Sequence, residues 1–131
     1  MAEKKCIYPE SAPIPAGPYS PALQVGNLLF VSGQTPEKPG TDELVEGGIR
    51  EQTKQVMENI KNIIGAAGCS MENVVKVSTH LLDINDFNDY NDVYRSYLTE
   101  PFPARTTVQS VIPGGALIEV DVIAVVPENK K

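Results

Sequence analysis

The sequence predicts an α+β fold, with two helices covering one face of a single mixed β-sheet. Three features of the chain point there. Two short apolar runs flank Gly26-Asn27. The apolar period then switches to 3.6 residues, twice, with a β-branched run between. The last third reads as strand, turn, strand. Helices and sheets that are apolar on one side must bury that side against each other, and two layers suffice here.

In chain order, the first twenty residues carry Pro9, Pro13, Pro15 and Pro18, so they run as extended chain and turns. Residues 22–25 and 28–32 form a hairpin, since Gly26 tolerates the positive φ of a tight turn. A polar loop follows over 36–48. From 48 to 68, Ile49, Val56, Ile60, Ile63, Ile64 and Ala67 recur at helical spacing, and Gly68 supplies a left-handed cap. Residues 74–82 are β-branched and strand-like. A second helix begins after Asn85 as its cap and runs through Phe87, Tyr90, Val93, Tyr94, Tyr97 and Leu98 until Pro101 and Pro103 stop it. Residues 105–111 form a strand, Pro113-Gly114-Gly115 a turn, and 116–126 a long final strand. On that strand Ile118, Val120, Val122, Ala124 and Val126 share a uniformly apolar face. Leu117, Glu119, Asp121, Ile123 and Val125 share the other. The second face is too apolar for open water and too charged for a sealed core. Either it is a symmetric subunit interface holding a polar pocket, or it is a solvated face with some exposed apolar residues.

A length of 131 residues suits one domain, 1–131, able to bury an ordinary core without metal or disulfide staples. No apolar run approaches a membrane span, and the start lacks the apolar segment of a signal peptide, so a cytoplasmic protein with no membrane partner is expected. The net charge of −6 argues against a nucleic-acid partner. The adjacent basic pairs, Lys4-Lys5 and Lys130-Lys131, sit at the chain ends. Cys6 and Cys69 read as unpaired thiols. A single histidine, His80, excludes two-histidine zinc sites, and no dinucleotide, phosphate-loop or nucleophile-elbow motif is present. Cofactor and metal are expected to be none.

Two charged residues stand out. Arg105, in Phe102-Pro103-Ala104-Arg105, sits at the mouth of a strand after a proline-stiffened approach, where its planar fork suits a carboxylate. The ordinary alternative is a surface arginine. Glu119 lies among valines and isoleucines, where desolvation favours acid–base work unless the side chain points to solvent.

Gly17-Pro18-Tyr19-Ser20, Ser32-Gly33-Gln34, Asn91-x-x-Tyr94, Phe102-Pro103-Ala104-Arg105 and Ile118-Glu119-Val120-Asp121-Val122-Ile123-Ala124, in this order, resemble the RidA/YjgF family across residues 6–126. The resemblance implies a chorismate-mutase-like sandwich that assembles as a homotrimer with pockets between subunits. It implies cofactor-independent hydrolysis of reactive 2-imino and enamino acids, such as 2-aminoacrylate, 2-iminopropanoate and 2-iminobutanoate, to 2-oxo acids and ammonia. Arg105 would hold the substrate carboxylate and Glu119 would position the attacking water. Tyr19, Phe87 and Asn91 would line the pocket, with Ser32, Gly33 and the Thr107 backbone shaping its wall. An imine beside a carboxylate is already electrophilic, so orientation, a clamp and an activated water suffice. Many catalytic relatives carry Cys at the position of Thr107. Residues 105–113 also look one residue shorter than in some relatives, which makes Asp121 the competing carboxylate. The other functions to weigh are a non-enzymatic trimer that binds small carboxylate metabolites, and a ribonuclease or translation inhibitor, against which the charge counts.

Overall fold

Strand period and helix period are read out as two layers in the computed structural model, which describes residues 3–128. The strands are β1 (Lys4–Ile7), β2 (Ala22–Val25), β3 (Leu28–Gln34), β4 (Val74–Leu81), β5 (Ala104–Gln109) and β6 (Ile118–Val125); the helices are α1 (Ile49–Gly65) and α2 (Phe87–Arg95). One sheet has the order β1-β2-β3-β6-β4-β5. β4 and β5 run parallel and the remaining neighbours antiparallel, so the sheet is mixed. No helix among the described residues is long and apolar enough to cross a membrane. The pair Lys130-Lys131 and the ends of the 1–131 span lie outside the described residues.

The core forms where the two periods meet. Val56, Ile60, Ile63 and Ile64 of α1 are fully buried, and so are Leu29, Leu81, Ile118, Val120 and Ala124 of the sheet. Each of these valine, leucine and isoleucine side chains contributes roughly 1.5–3 kcal/mol relative to exposure. On β6 the alternation is complete: Ile118, Val120, Val122 and Ala124 are buried under the helices, while Glu119, Asp121, Ile123 and Val125 are half-buried on the other face. That other face is uncovered within one chain, and Leu28 and Phe30 stand about 40% exposed on it, at 39% and 41%.

Several local expectations need correction. The leading segment contains a strand: β1 pairs with β2 and buries Ile7. Four residues, three of them exposed, show no alternation to read, and pairing supplies the order. α1 ends at Gly65, but Gly68 does terminate it, at φ +82°, with Cys69 N–H donating to Ile64 O and Gly68 N–H to Gly65 O. The side-chain cap ahead of α2 is Asp83, not Asn85: its carboxylate accepts the Asn85 N–H across a 3₁₀ turn, Ile84–Asp86. α2 stops at Arg95, because Tyr97 and Leu98 donate to the carbonyls three residues back, closing turns. β5 ends at Gln109, where Ser110 N–H still reaches Leu81 O but Val111 is 89% exposed.

Candidate functional site

The sequence-predicted site residues fall into two groups on opposite sides of the sheet. The first gathers where β3 meets β6. A bulge between Val31 and Gln34 breaks the ladder there. Ser32 is held at the bulge by two bonds, its N–H to Pro21 O at 2.9 Å and its Oγ to Ser20 O at 2.6 Å. Gly33 is needed for close approach: a Cβ on it would lie 2.5 Å from Oε2 of Glu119 and 3.0 Å from its Cδ. The Glu119 carboxyl therefore rests on bare backbone. Tyr19, Ser32, Gly33 and Glu119 line one cavity of about 510 Å³, with Ile14 and Leu44 as apolar wall and Glu37 and Asp42 as further carboxylates. Tyr19 is held by its hydroxyl, which accepts the Ala16 N–H at 3.1 Å.

Asp121 lies two residues along the same face, opposite Ser78, and is not among the residues lining this cavity. Burial pushes its carboxyl above the ordinary aspartate value, and the charges of His80 and Lys76 oppose that rise. Of the two competing acids, Glu119 faces the cavity.

The second group gathers where β5 meets α2. Arg105 pairs in register with Val77, which is buried under the helices, so its side chain leaves the sheet on the helix side. Its Nη1 donates to Asn91 Oδ1 at 2.8 Å and to the Tyr90 hydroxyl at 3.5 Å. The rings of Phe87, Tyr90 and Tyr94 surround its guanidinium. A cavity of about 290 Å³ is lined by Asn91, Tyr94, Arg95, Phe102, Pro103 and Arg105. Thr107 lies beside Thr79 on the same side, and its Oγ1 is buried without a hydrogen-bond partner. β5 is the last strand of the sheet, so one side of its backbone has no strand partner.

One chain does not bring the groups together. Glu119 is level with His80, which is level with Val108, three residues beyond Arg105 on β5. Two strand spacings and three residues separate the α-carbons by about 14 Å, before the opposite directions of the side chains are added. Among the described residues no cluster of three or more His, Cys, Asp and Glu groups could hold a metal ion.

Tyr90 and Tyr94 were readable as core-facing helix positions but not as neighbours of Arg105. The signal available was the aromatic spacing 87, 90, 94, which puts three rings on one helix face. Glu37 and Asp42 carried no pattern at all, because a polar loop places them.

Residues 9–126 match the family described as Endoribonuclease L-PSP. A RutC family protein of Pyrococcus horikoshii is 50% identical over 122 residues, 92% of this chain and 97% of that one. The 2-iminobutanoate/2-iminopropanoate deaminase of Bos taurus is 44% identical over 123 residues, 93% of this chain and 90% of that one. The crystal structure of RidA from an Antarctic Psychrobacter superposes with a TM-score of 0.88 at 43% identity, covering 92% of this chain and 98% of that one. With the α+β sheet, the ordered motifs and near full-length matches in agreement, this chain belongs to the RidA/YjgF family.

Proposed function

We propose that the protein is a cofactor-independent deaminase that hydrolyses reactive 2-imino and enamino acids to 2-oxo acids and ammonia. It would work as a homotrimer whose sites form between subunits. The observation that carries this is the split of Arg105 and Glu119 between opposite sheet faces. A small substrate spans only a few ångströms, so a carboxylate clamp and a water-positioning acid acting on it must come from two copies. The half-apolar, uncovered sheet face offers the surface on which a second copy would pack.

In this reading the substrate carboxylate docks on Arg105, bringing its imine carbon toward Glu119 of a neighbouring copy. Glu119 accepts a proton from water as the oxygen attacks the electrophilic carbon, then returns it to the departing nitrogen. The addition makes a carbinolamine; Glu119 then moves the carbinolamine's hydroxyl proton to the amino nitrogen, which leaves as ammonia as the C=O of the 2-oxo acid forms. Gly33 lets the carboxylate lie close to backbone, and Ser32 and Tyr19 shape the wall. The deaminase name of the bovine relative supports the reaction class. The net charge of −6 disfavours the polyanion suggested by the family's endoribonuclease description.

The test is complementation. Arg105→Lys and Glu119→Gln proteins, each impaired alone, are mixed under conditions of subunit exchange, and 2-oxo acid release is followed from 2-aminoacrylate generated in situ. A site shared between copies restores about a quarter of the wild-type sites in a random mixture, because both intact residues then meet. No recovery despite demonstrated exchange would refute the shared site. Wild-type protein that binds 2-oxo acids without accelerating release would instead mark a metabolite-binding trimer.

A further inference from the structure

The guanidinium of Arg105 is held as a cation without being neutralised. Its Cζ lies 4.6 Å from the ring centroid of Tyr94, 5.5 Å from Phe87 and 5.6 Å from Tyr90, all within cation–π range. None of the ion pairs among the described residues involves Arg105. Aromatic faces stabilise a cation through their quadrupole yet leave its charge available to a ligand, which a carboxylate partner would not.

The cradle is also braced. Phe87 meets Tyr90 edge-on at 5.9 Å, and Tyr90 meets Tyr94 at 5.6 Å. Tyr90 is fully buried, and its hydroxyl is 2.7 Å from Oγ1 of the equally buried Thr79, which ties the rings to β4. Tyr90 accepts from Arg105 Nη1 and shares a second hydrogen bond with Thr79, so its hydroxyl is held from both sides. Tyr94 is 5% exposed and its buried hydroxyl has no hydrogen-bond partner among the described residues; burial first, and then the neighbouring Tyr90, push that hydroxyl up to about 12 against the opposing pull of Arg105, so it stays neutral beside the guanidinium. With Nη1 occupied by Asn91 and Tyr90, the edge formed by Nε and Nη2 carries no hydrogen bond among the described residues. That edge is one of the two bidentate faces of a guanidinium, and the other is blocked through Nη1.

We infer that Phe87, Tyr90 and Tyr94 are positioning residues, an aromatic cradle that fixes the Arg105 plane and presents its Nε–Nη2 edge, charge unspent, to the substrate carboxylate. This deepens the clamp role given to Arg105 above and rests on it. It gives Phe87, expected from the sequence to line the substrate pocket, the support of Arg105 as a further role.

The experiment compares kcat and KM for wild type, Tyr94→Leu, Tyr94→Phe, Arg105→Met and the double variant Tyr94→Leu/Arg105→Met, using 2-iminobutanoate generated in situ. Binding of 2-oxobutanoate is measured by calorimetry on the first four. Losing one ring of the cradle should raise KM and weaken 2-oxobutanoate about three- to thirty-fold, with kcat changing less. Tyr94→Phe keeps the ring and should restore most of that affinity. In the Arg105→Met background, Tyr94→Leu should cost less than about two-fold in residual kcat/KM, since the residue it positions is gone. An equal loss in both backgrounds, unchanged affinity in Tyr94→Leu, or a fall in kcat alone would overturn the cradle. Should Tyr94→Leu fail to fold, half-buried Phe87→Leu is carried through the same cycle with the same expectations. Arg105→Met with wild-type affinity for 2-oxobutanoate would overturn the clamp itself, and the cradle with it.

Discussion

Gly33→Ala separates the position of Glu119 from the integrity of the fold. The added Cβ would stand 2.5 Å from Oε2, 3.0 Å from Cδ and 3.2 Å from Cγ of Glu119, where ordinary contact begins at 3.4 Å. The carboxylate oxygen must therefore retreat by about 0.9 Å, and a misplacement of that size can cost ~10²-fold in turnover. Folding should hardly register the change. The clashing atoms are the free end of a flexible side chain, and Gly33 does not occupy the positive-φ region that would strain alanine. Fewer unfolded conformations give back about 0.4–1 kcal/mol, so stability should stay within about 1 kcal/mol of wild type. The assay is kcat/KM with in-situ 2-aminoacrylate beside urea unfolding. Adding Glu119→Ala to Gly33→Ala is the control: once the carboxylate is absent, Gly33→Ala should cost little more. Full activity in Gly33→Ala would refute the claim that Glu119 works from its seat on this backbone. A loss of several kcal/mol in stability would refute the claim that only the side chain yields.

Three further outcomes are expected. Arg105→Lys should keep the fold and lose roughly ten- to a hundred-fold in kcat/KM, because a point donor replaces the fork and one charge-assisted bond is worth about 1.5–3 kcal/mol; near-normal kinetics would remove Arg105 as the clamp. Glu119→Gln should cut kcat by ~10²–10⁴ while 2-oxobutanoate affinity stays within a few-fold, and Asp121→Asn should be mild, since of these two acids Glu119 alone lines the cavity; the reverse result would reassign the acid. Asp121 also predicts a pH dependence of stability. Burial raises its folded value above the ordinary 3.8, so between 3.8 and that raised value the folded protein holds more of its proton than the unfolded chain. Stability from this group therefore falls as pH climbs through that window and levels off above it. Urea unfolding of Asp121→Asn should show a flatter pH slope there and higher stability at pH 7; an unchanged slope would dismiss the effect.

Much of this molecule can be read from local pattern. The hairpin around Gly26-Asn27, the α1 stripe of Val56, Ile60, Ile63 and Ile64, and the alternation along β6 all depend on periodicity that the backbone imposes within a few residues. The five ordered motifs carried the family as well, and two of them mark physical constraints: Gly33 makes room for Glu119, and Arg105 follows its prolines. What escaped was whatever depends on pairing across the chain. β1 has four residues and no visible period, and exists because β2 offers it an edge. The Glu119–Asp121 ambiguity could not be resolved along one strand, since both acids share a face; the β3 bulge resolves it by placing Gly33 beneath one of them. Above all, Arg105 and Glu119, the two charged residues that stand out in the sequence, leave the sheet in opposite directions. Sequence spacing gives the alternation of each strand separately, but which face of β5 lies level with which face of β6 is decided by register through β4, a long-range property of the folded sheet.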